Sequence, residues 1–168
     1  LADGEDVVLQ MYTSGTTGRP KGAMLCNRNF EKFTRLDSDH YPSWWQVHPS
    51  DISLMAMPLF HIGGLEAVFR VIFSGAQVVL HREFDPGEVL DSINRYRPTI
   101  LSLVPTALHL ILNHSKTKDV DFTCIKSFFY GASPITLGLL QSALGMMNCG
   151  FVQCYGLTEA TSSIVALP

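Results

Sequence analysis

The sequence predicts an α/β fold in which a parallel sheet is doubly wound, with helices on both faces. Short apolar strand-like runs alternate with helical segments of roughly 10 residues along most of the chain, the pattern of repeated βα units. At 168 residues with 46% hydrophobic and 16% charged side chains, the chain has room for one domain with a substantial core. No repeat or low-complexity stretch interrupts the alternation.

Residues 7–13 are β-rich and lead into a Gly/Ser/Thr loop, and 23–25 leave it as a second short strand, so the loop resembles a hairpin tip. Asn27 or Asn29 can cap a helix beginning near Phe30. Residues 37–49, with Trp44 and Trp45, carry no assignable pattern. Residues 52–57 form a short apolar run closed by Pro58, and 64–73 place Leu65, Val68, Phe69 and Ile72 at helical spacing. Strand-like 77–80 precedes Asp85-Pro86, which opens a helix with proline in its first turn. Arg97-Pro98 ends that helix, and 99–104 is apolar and β-branched. A helix over 105–112, a strand over 125–130, a helix over 135–144 and a strand over 151–155 complete the order.

Crossovers between such strands are right-handed, and ligands sit beyond the strands' carboxyl ends. Thr13, His61, Gly131 and Tyr155 each fall just after a predicted strand, which would bring their segments to one crevice.

A net charge of −3 provides no basic field for nucleic acid. Cys26, Cys124, Cys149 and Cys154 show neither CxxC nor metal-ligand spacing and read as thiols of a reducing compartment, the cytoplasm by default. No apolar run reaches membrane-spanning length and no signal peptide opens the chain. Leu1 in place of Met suggests an excerpt from a larger protein.

The most informative stretch is Tyr12-Thr-Ser-Gly-Thr-Thr-Gly-Arg-Pro-Lys-Gly22. Gly15, Gly18 and Gly22 let backbone N–H groups approach anionic oxygens that a Cβ would fend off. Thr13, Ser14, Thr16 and Thr17 add neutral donors, and Lys21 adds a charge. A polyphosphate is the expected guest. The loop is not GxxxxGK[ST]: Pro20 precedes Lys21, and no Ser or Thr follows to hold a metal.

This loop, together with Tyr155-Gly-Leu-Thr-Glu-Ala160, resembles the signatures of the adenylate-forming superfamily, which includes acyl- and aryl-CoA synthetases, luciferases and peptide-synthetase adenylation domains. The resemblance runs across the whole chain, which covers only part of such an enzyme. It implies that the loop holds the β- and γ-phosphates of ATP. It places the histidine of Met57-Pro-Leu-Phe-His-Ile-Gly-Gly64, His61, between acid and nucleotide as donor or gate. Gly63 and Gly64 either leave room for a tail or serve the loop's geometry. In Tyr130-Gly-Ala-Ser-Pro-Ile135, the backbone of Gly131, Ala132 and Ser133 would contact adenine, while Ser133 can also cap a helix with Pro134 in its first turn. Tyr155 offers a ring to stack on adenine, with Gly156 beside it, and Thr158 can donate to the α-phosphate. Glu159 has hard oxygens suited to Mg²⁺.

No nucleophile with its base is legible, and none is needed: a substrate carboxylate can itself attack the α-phosphorus of ATP. By resemblance, a thiol, coenzyme A, then displaces AMP. The partners expected are thus a small carboxylic acid, ATP, Mg²⁺ and coenzyme A. Phe60, Ile62, Leu65, Phe128 and Phe129 favour an apolar acid, a fatty acid before an aryl acid. The family's ribose-binding aspartate, hinge and C-terminal lid domain would lie beyond Pro168, leaving residues 1–168 as a single domain, part of the large N-terminal ATP-binding unit, at best a weak nucleotide binder. A γ-phosphate hydrolase and a non-catalytic nucleotide-binding relic are the rival classes.

Overall fold

A hairpin and a six-stranded sheet carry the chain in the computed structural model, which describes residues 3–15, 18–31, 33 and 41–168. Strands β1 (Val7–Thr13) and β2 (Lys21–Cys26) pair antiparallel with Thr13 opposite Lys21, so the glycine-rich loop is indeed a hairpin tip. Thr16 and Thr17 lie outside the described residues. Helix α1 (Asn27–Phe30) begins at Asn27, earlier than expected. Asn29 does cap it, from inside the first turn: its Oδ1 accepts the Cys26 N–H at 2.8 Å.

The large sheet comprises β3 (Ile52–Met55), β4 (Gln77–Leu80), β5 (Ile100–Leu103), β6 (Ser127–Gly131), β7 (Gly150–Leu157) and β8 (Ser162–Leu167), in the order β4-β3-β5-β6-β7-β8. All neighbours are parallel except β7 and β8. Between the strands lie α2 (Ile62–Phe73), α3 (Pro86–Tyr96), α4 (Pro105–Leu112) and α5 (Leu137–Met147).

Alternation along the strands divides the core. Leu101, Leu103, Phe128 and Tyr130 pack with Val89, Leu90 and Ile93 of α3, Ala107, Leu108 and Ile111 of α4, and Ala143 and Met147 of α5. Ile100 and Phe129 turn to the opposite face, where Val47, Trp44 and Trp45 pack against them and α2 crosses. Each fully buried Leu or Phe contributes roughly 1.5–3 kcal/mol. The sheet grows from β3 to β4 in one direction and then from β5 onward in the other. Right-handed crossovers therefore put α2 on one face and α3–α5 on the other. The reversal between β3 and β5 opens a crevice at their carboxyl ends.

Three departures from expectation matter for the site. The antiparallel edge strand β8 was not anticipated: no turn residue separates it from the Tyr155–Ala160 motif, and the reversal is made by Thr161 and Ser162 at φ 56° and 80°. Helix α5 starts at Leu137 with Thr136 as cap, its Oγ1 accepting the Leu139 N–H at 3.3 Å, so Ser133 and Pro134 lie in the preceding turn. Ala132, at φ 66°, redirects the chain there. Finally, α2 starts two residues early and buries Gly64, Glu66, Arg70 and Val71, while Ile72 and Phe73 stay exposed. Its charged face is turned inward.

Asp51 fastens the amino ends of three strands. Its carboxylate accepts the Thr99 hydroxyl at 2.8 Å, the His48 N–H at 2.9 Å and the Lys126 ammonium at 3.2 Å. Burial pushes this carboxyl up, but the three donors more than offset burial and hold it below the usual carboxylate range. Asp51→Asn is expected to cost about 1.5–3 kcal/mol at neutral pH, the worth of a charged hydrogen bond. A depressed folded-state pKa gives stability that is present above the unfolded value and fades as pH falls through the folded one. Urea melts at pH 7 and below pH ~4 should therefore show the wild-type advantage shrinking on acidification.

Candidate active site

The glycine-rich tip bends where only glycine is comfortable. Gly15 and Gly18 sit at φ 62° and 78°, and the Gly18 N–H closes onto the Gly15 carbonyl at 3.4 Å. A Cβ on Gly15 would lie 2.6 Å from the Arg19 carbonyl oxygen. Ser14 is exposed, and Lys21, the first residue of β2, is exposed with no ion pair among the described residues.

The second signature meets this tip. Strand β7 runs on to Leu157, and a 3-10 turn over Thr158–Ala160 follows. The Thr13 hydroxyl donates to Glu159 Oε1 at 3.4 Å, joining residues 146 positions apart. Thr13 belongs to the hairpin, outside the parallel sheet, and Tyr155 lies within β7 rather than after it. Convergence is therefore achieved by the hairpin lying against the 3-10 turn, not by strand ends alone.

Backbone closeness explains two glycines. A Cβ on Gly131, the last residue of β6, would fall against the Cys154 carbonyl, 3.2 Å from its carbon. One on Gly156 would land on the Ser162 carbonyl and 2.8 Å from Ser163 Cα. Ala132 and Ser133 are exposed beside them, and Tyr155 keeps 60% of its surface open, a ring free to receive a planar partner.

Beneath these residues, at the reversal of the sheet, lies a cavity. Ile62, Gly63 and Ala67 of α2 wall one side, Leu103 and Phe129 the floor, and Gly131, Gly156 and Ser163 the other side. His61, which precedes the lining residue Ile62 as the N-cap of α2, is exposed, with its ring centroid 4.7 Å from that of Phe60. The two glycines after it have different reasons. Gly64 is geometric, since a Cβ would lie 2.5 Å from the Pro58 carbonyl oxygen; Gly63 faces open space. Of the apolar residues expected around the acid, Ile62 and Phe129 line the cavity. Phe128 points into the opposite core and Phe60 is 75% exposed.

Sequence reasoning missed Glu66 and Arg70, both buried and both bordering the cavity. Their signal was present: an acidic and a basic residue at i and i+4 of an otherwise apolar helix. Glu66 Oε2 accepts from the Ser162 hydroxyl, from the Ser163 N–H at 3.3 Å and from the Ser163 hydroxyl at 2.8 Å. It thereby ties α2 to the strand that follows the Glu159 turn. Burial, then the nearby Glu66 charge, push the Cys154 thiol up to about 11. It is thus a packed thiol, not a nucleophile. Among the described residues no cluster of three or more His, Cys, Asp or Glu could cage a metal, and no helix is long and apolar enough to cross a membrane.

A glycine-rich tip beside a Tyr-Gly-Leu-Thr-Glu turn, on a doubly wound sheet, defines a class of nucleotide-handling domain. The chain belongs to the AMP-binding enzyme family, which it matches over residues 1–168. It is 37% identical over 161 residues to a fatty acid–[acyl-carrier-protein] ligase of Streptomyces coeruleorubidus, covering 96% of this chain and 31% of that protein. It is 36% identical over 171 residues to a feruloyl-CoA synthase of an Amycolatopsis species, covering 97% and 32%. The o-succinylbenzoate coenzyme A synthetase of Bacillus subtilis, solved in complex with ATP and magnesium ion, superposes with a TM-score of 0.78 at 34% identity, covering 99% of this chain and 33% of that one. The chain thus spans about a third of the length of the curated relatives it matches.

Proposed function

We propose that the protein carrying this chain activates a carboxylic acid with ATP and transfers the acyl group to coenzyme A. The observation that supports this best is the Thr13–Glu159 contact, which brings the two signatures to one place. In this reading the tip, through the backbone of Gly15 and Gly18, the hydroxyls of Thr13 and Ser14 and the Lys21 ammonium, holds the β- and γ-phosphates. Thr16 and Thr17 are assigned to the same task from the sequence alone. Gly131, Ala132 and Ser133 lie along adenine, Tyr155 stacks on it beside Gly156, and Thr158 donates to the α-phosphate.

Glu159 suits Mg²⁺, which typically takes one or two carboxylates and completes its shell with phosphate oxygens and water. An exposed single carboxylate beside the phosphate tip fits that habit, and bound Mg²⁺ would supply charge neutralisation at the phosphates. The acid occupies the cavity with its carboxylate toward His61, which donates to it or gates its entry. A carboxylate oxygen attacks the α-phosphorus, the bond to pyrophosphate breaks, and acyl-adenylate forms. The thiol sulfur of coenzyme A then attacks the acyl carbon and AMP leaves. Residues 1–168 form part of the large nucleotide-binding unit, and completing the reaction needs elements outside them, including a lid. A cytoplasmic setting accords with four free cysteines among the described residues.

The acid is a fatty acid; an aryl acid is the second reading, favoured by the feruloyl-CoA synthase relative. Because Gly63 faces open space, Gly63→Phe should fold normally yet lower kcat/KM for bulky acids by about tenfold or more while sparing short ones. Acid-dependent exchange of labelled pyrophosphate into ATP, measured on the intact protein, tests the whole reading. Release of phosphate instead would point to a hydrolase, and no turnover with any acid to a relic.

A further inference from the structure

A second cavity lies on the other side of Glu66. Trp44, Trp45, Ile164, Val165 and Ala166 contribute to its lining, and at 350 Å³ it is more than twice the 140 Å³ of the cavity assigned to the acid. Among the described residues only Glu66 and Ser163 border both. The two are tied to each other. Glu66 Oε2 accepts the Ser163 hydroxyl at 2.8 Å and the Ser163 N–H at 3.3 Å, and the Ser162 hydroxyl donates to the same atom. One turn further along α2 runs a second tie. Arg70, which borders the first cavity, donates from Nη2 to the carbonyl of Trp45, which borders the second, at 2.5 Å. Its guanidinium lies 4.1 Å from the Trp45 ring centroid. The partition is therefore a hydrogen-bonded one.

Glu66 and Arg70 follow Ile62 along α2 by about one and two turns. An acid whose carboxylate lies toward His61 sends its tail inward along this helix and meets Glu66 first. An apolar tail has nothing to offer the partition. To pass, it must displace a carboxylate that is 7% exposed and leave the hydroxyls of Ser162 and Ser163 without their acceptor. Buried donors left unmade are costly, and methylenes cannot satisfy them.

We infer that the Glu66–Ser163 pair is the end stop for the acid's tail: it confines the substrate to the first cavity and so sets the longest acid accepted. This rests on that cavity being the acid's site. Glu66 is in this sense a specificity-determining residue, and the second cavity is space that the wild-type protein does not open to the acid.

The test is acid-dependent pyrophosphate exchange by the intact protein with two series graded in tail length, straight-chain saturated acids and para-alkylbenzoic acids. Wild type should show a cut-off in whichever series it accepts, kcat/KM falling about tenfold or more at the first tail that is too long, as one ill-fitting methylene can do. Glu66→Ala should raise kcat/KM for tails beyond the cut-off about tenfold or more relative to those below it. Glu66→Gln keeps the bulk of the partition and an oxygen for Ser163, and should keep the wild-type cut-off. Ile164→Trp, which narrows the second cavity at an exposed position, should leave the wild-type profile alone but cancel the gain of Glu66→Ala in the double variant. A wild type without a cut-off overturns the assignment, as does a cut-off that Glu66→Ala leaves in place, that Glu66→Gln moves as far, or that Ile164→Trp shortens. A double variant that retains the gain overturns it too. Wild type and Ile164→Trp decide the matter even if Glu66→Ala does not fold. Exchange without a cut-off removes this inference alone, whereas no exchange with any acid removes the adenylation reading too.

Discussion

Gly156→Ala is expected to abolish turnover and to destabilise the protein by about 3 kcal/mol, at the upper end of what overpacking costs. The added methyl would occupy the place of the Ser162 carbonyl and lie 2.8 Å from Ser163 Cα, so the obstacle is backbone and no rotamer change can clear it. The register of β7 and β8 is already irregular between Tyr155 and Gly156, and Thr161 and Ser162 are already in left-handed conformations. Little slack remains. Displacing β8 would pull on the Thr158–Ala160 turn and carry Glu159 away from Thr13. Urea unfolding and acid-dependent exchange measure the two effects, and a variant with wild-type values of both would refute the geometry described for this turn.

Lys21→Ala should separate the same two quantities. Its side chain is exposed and makes no ion pair among the described residues, so stability should move by no more than about 0.5 kcal/mol. Turnover should fall far more. Removing a charged donor from developing negative charge costs about 1.5–3 kcal/mol, or roughly 10- to 150-fold in kcat/KM. Equal ATP-dependent rates for the two proteins would withdraw the phosphate role from Lys21.

Much of this was legible from the residues because local chemistry and global fold agree. The runs at Ile52–Met55, Gln77–Leu80 and Ile100–Leu103 are strands as expected, and Asp85-Pro86 opens α3 with Asp85 accepting the Glu88 N–H at 2.8 Å. The hairpin tip followed from glycines flanked by two β-rich segments. The failures share one physical origin, tertiary partners that outvote local pattern. Nothing in Ser162–Leu167 announces an antiparallel edge strand until β7 is there to pair with it. Leu65, Val68, Phe69 and Ile72 stand at helical spacing, yet Glu66 and Arg70 are the buried pair of α2, because Ser162, Ser163, Trp45 and Phe129 supply polar and aromatic partners from distant parts of the chain. Trp44 and Trp45 were unassignable for the same reason: their role is to pack against Phe129 and, for Trp45, to cover Arg70.

The division of the cavity's walls has an evolutionary corollary. One side is lined by residues of a single helix, α2, while the opposite side is lined by Gly131, Ala132, Cys154, Gly156, Ser162 and Ser163, next to the Thr158–Ala160 turn. Mutations along α2 can thus reshape the cavity while the strand residues on its far side stay untouched. A lineage built this way can diversify its diet one helical turn at a time.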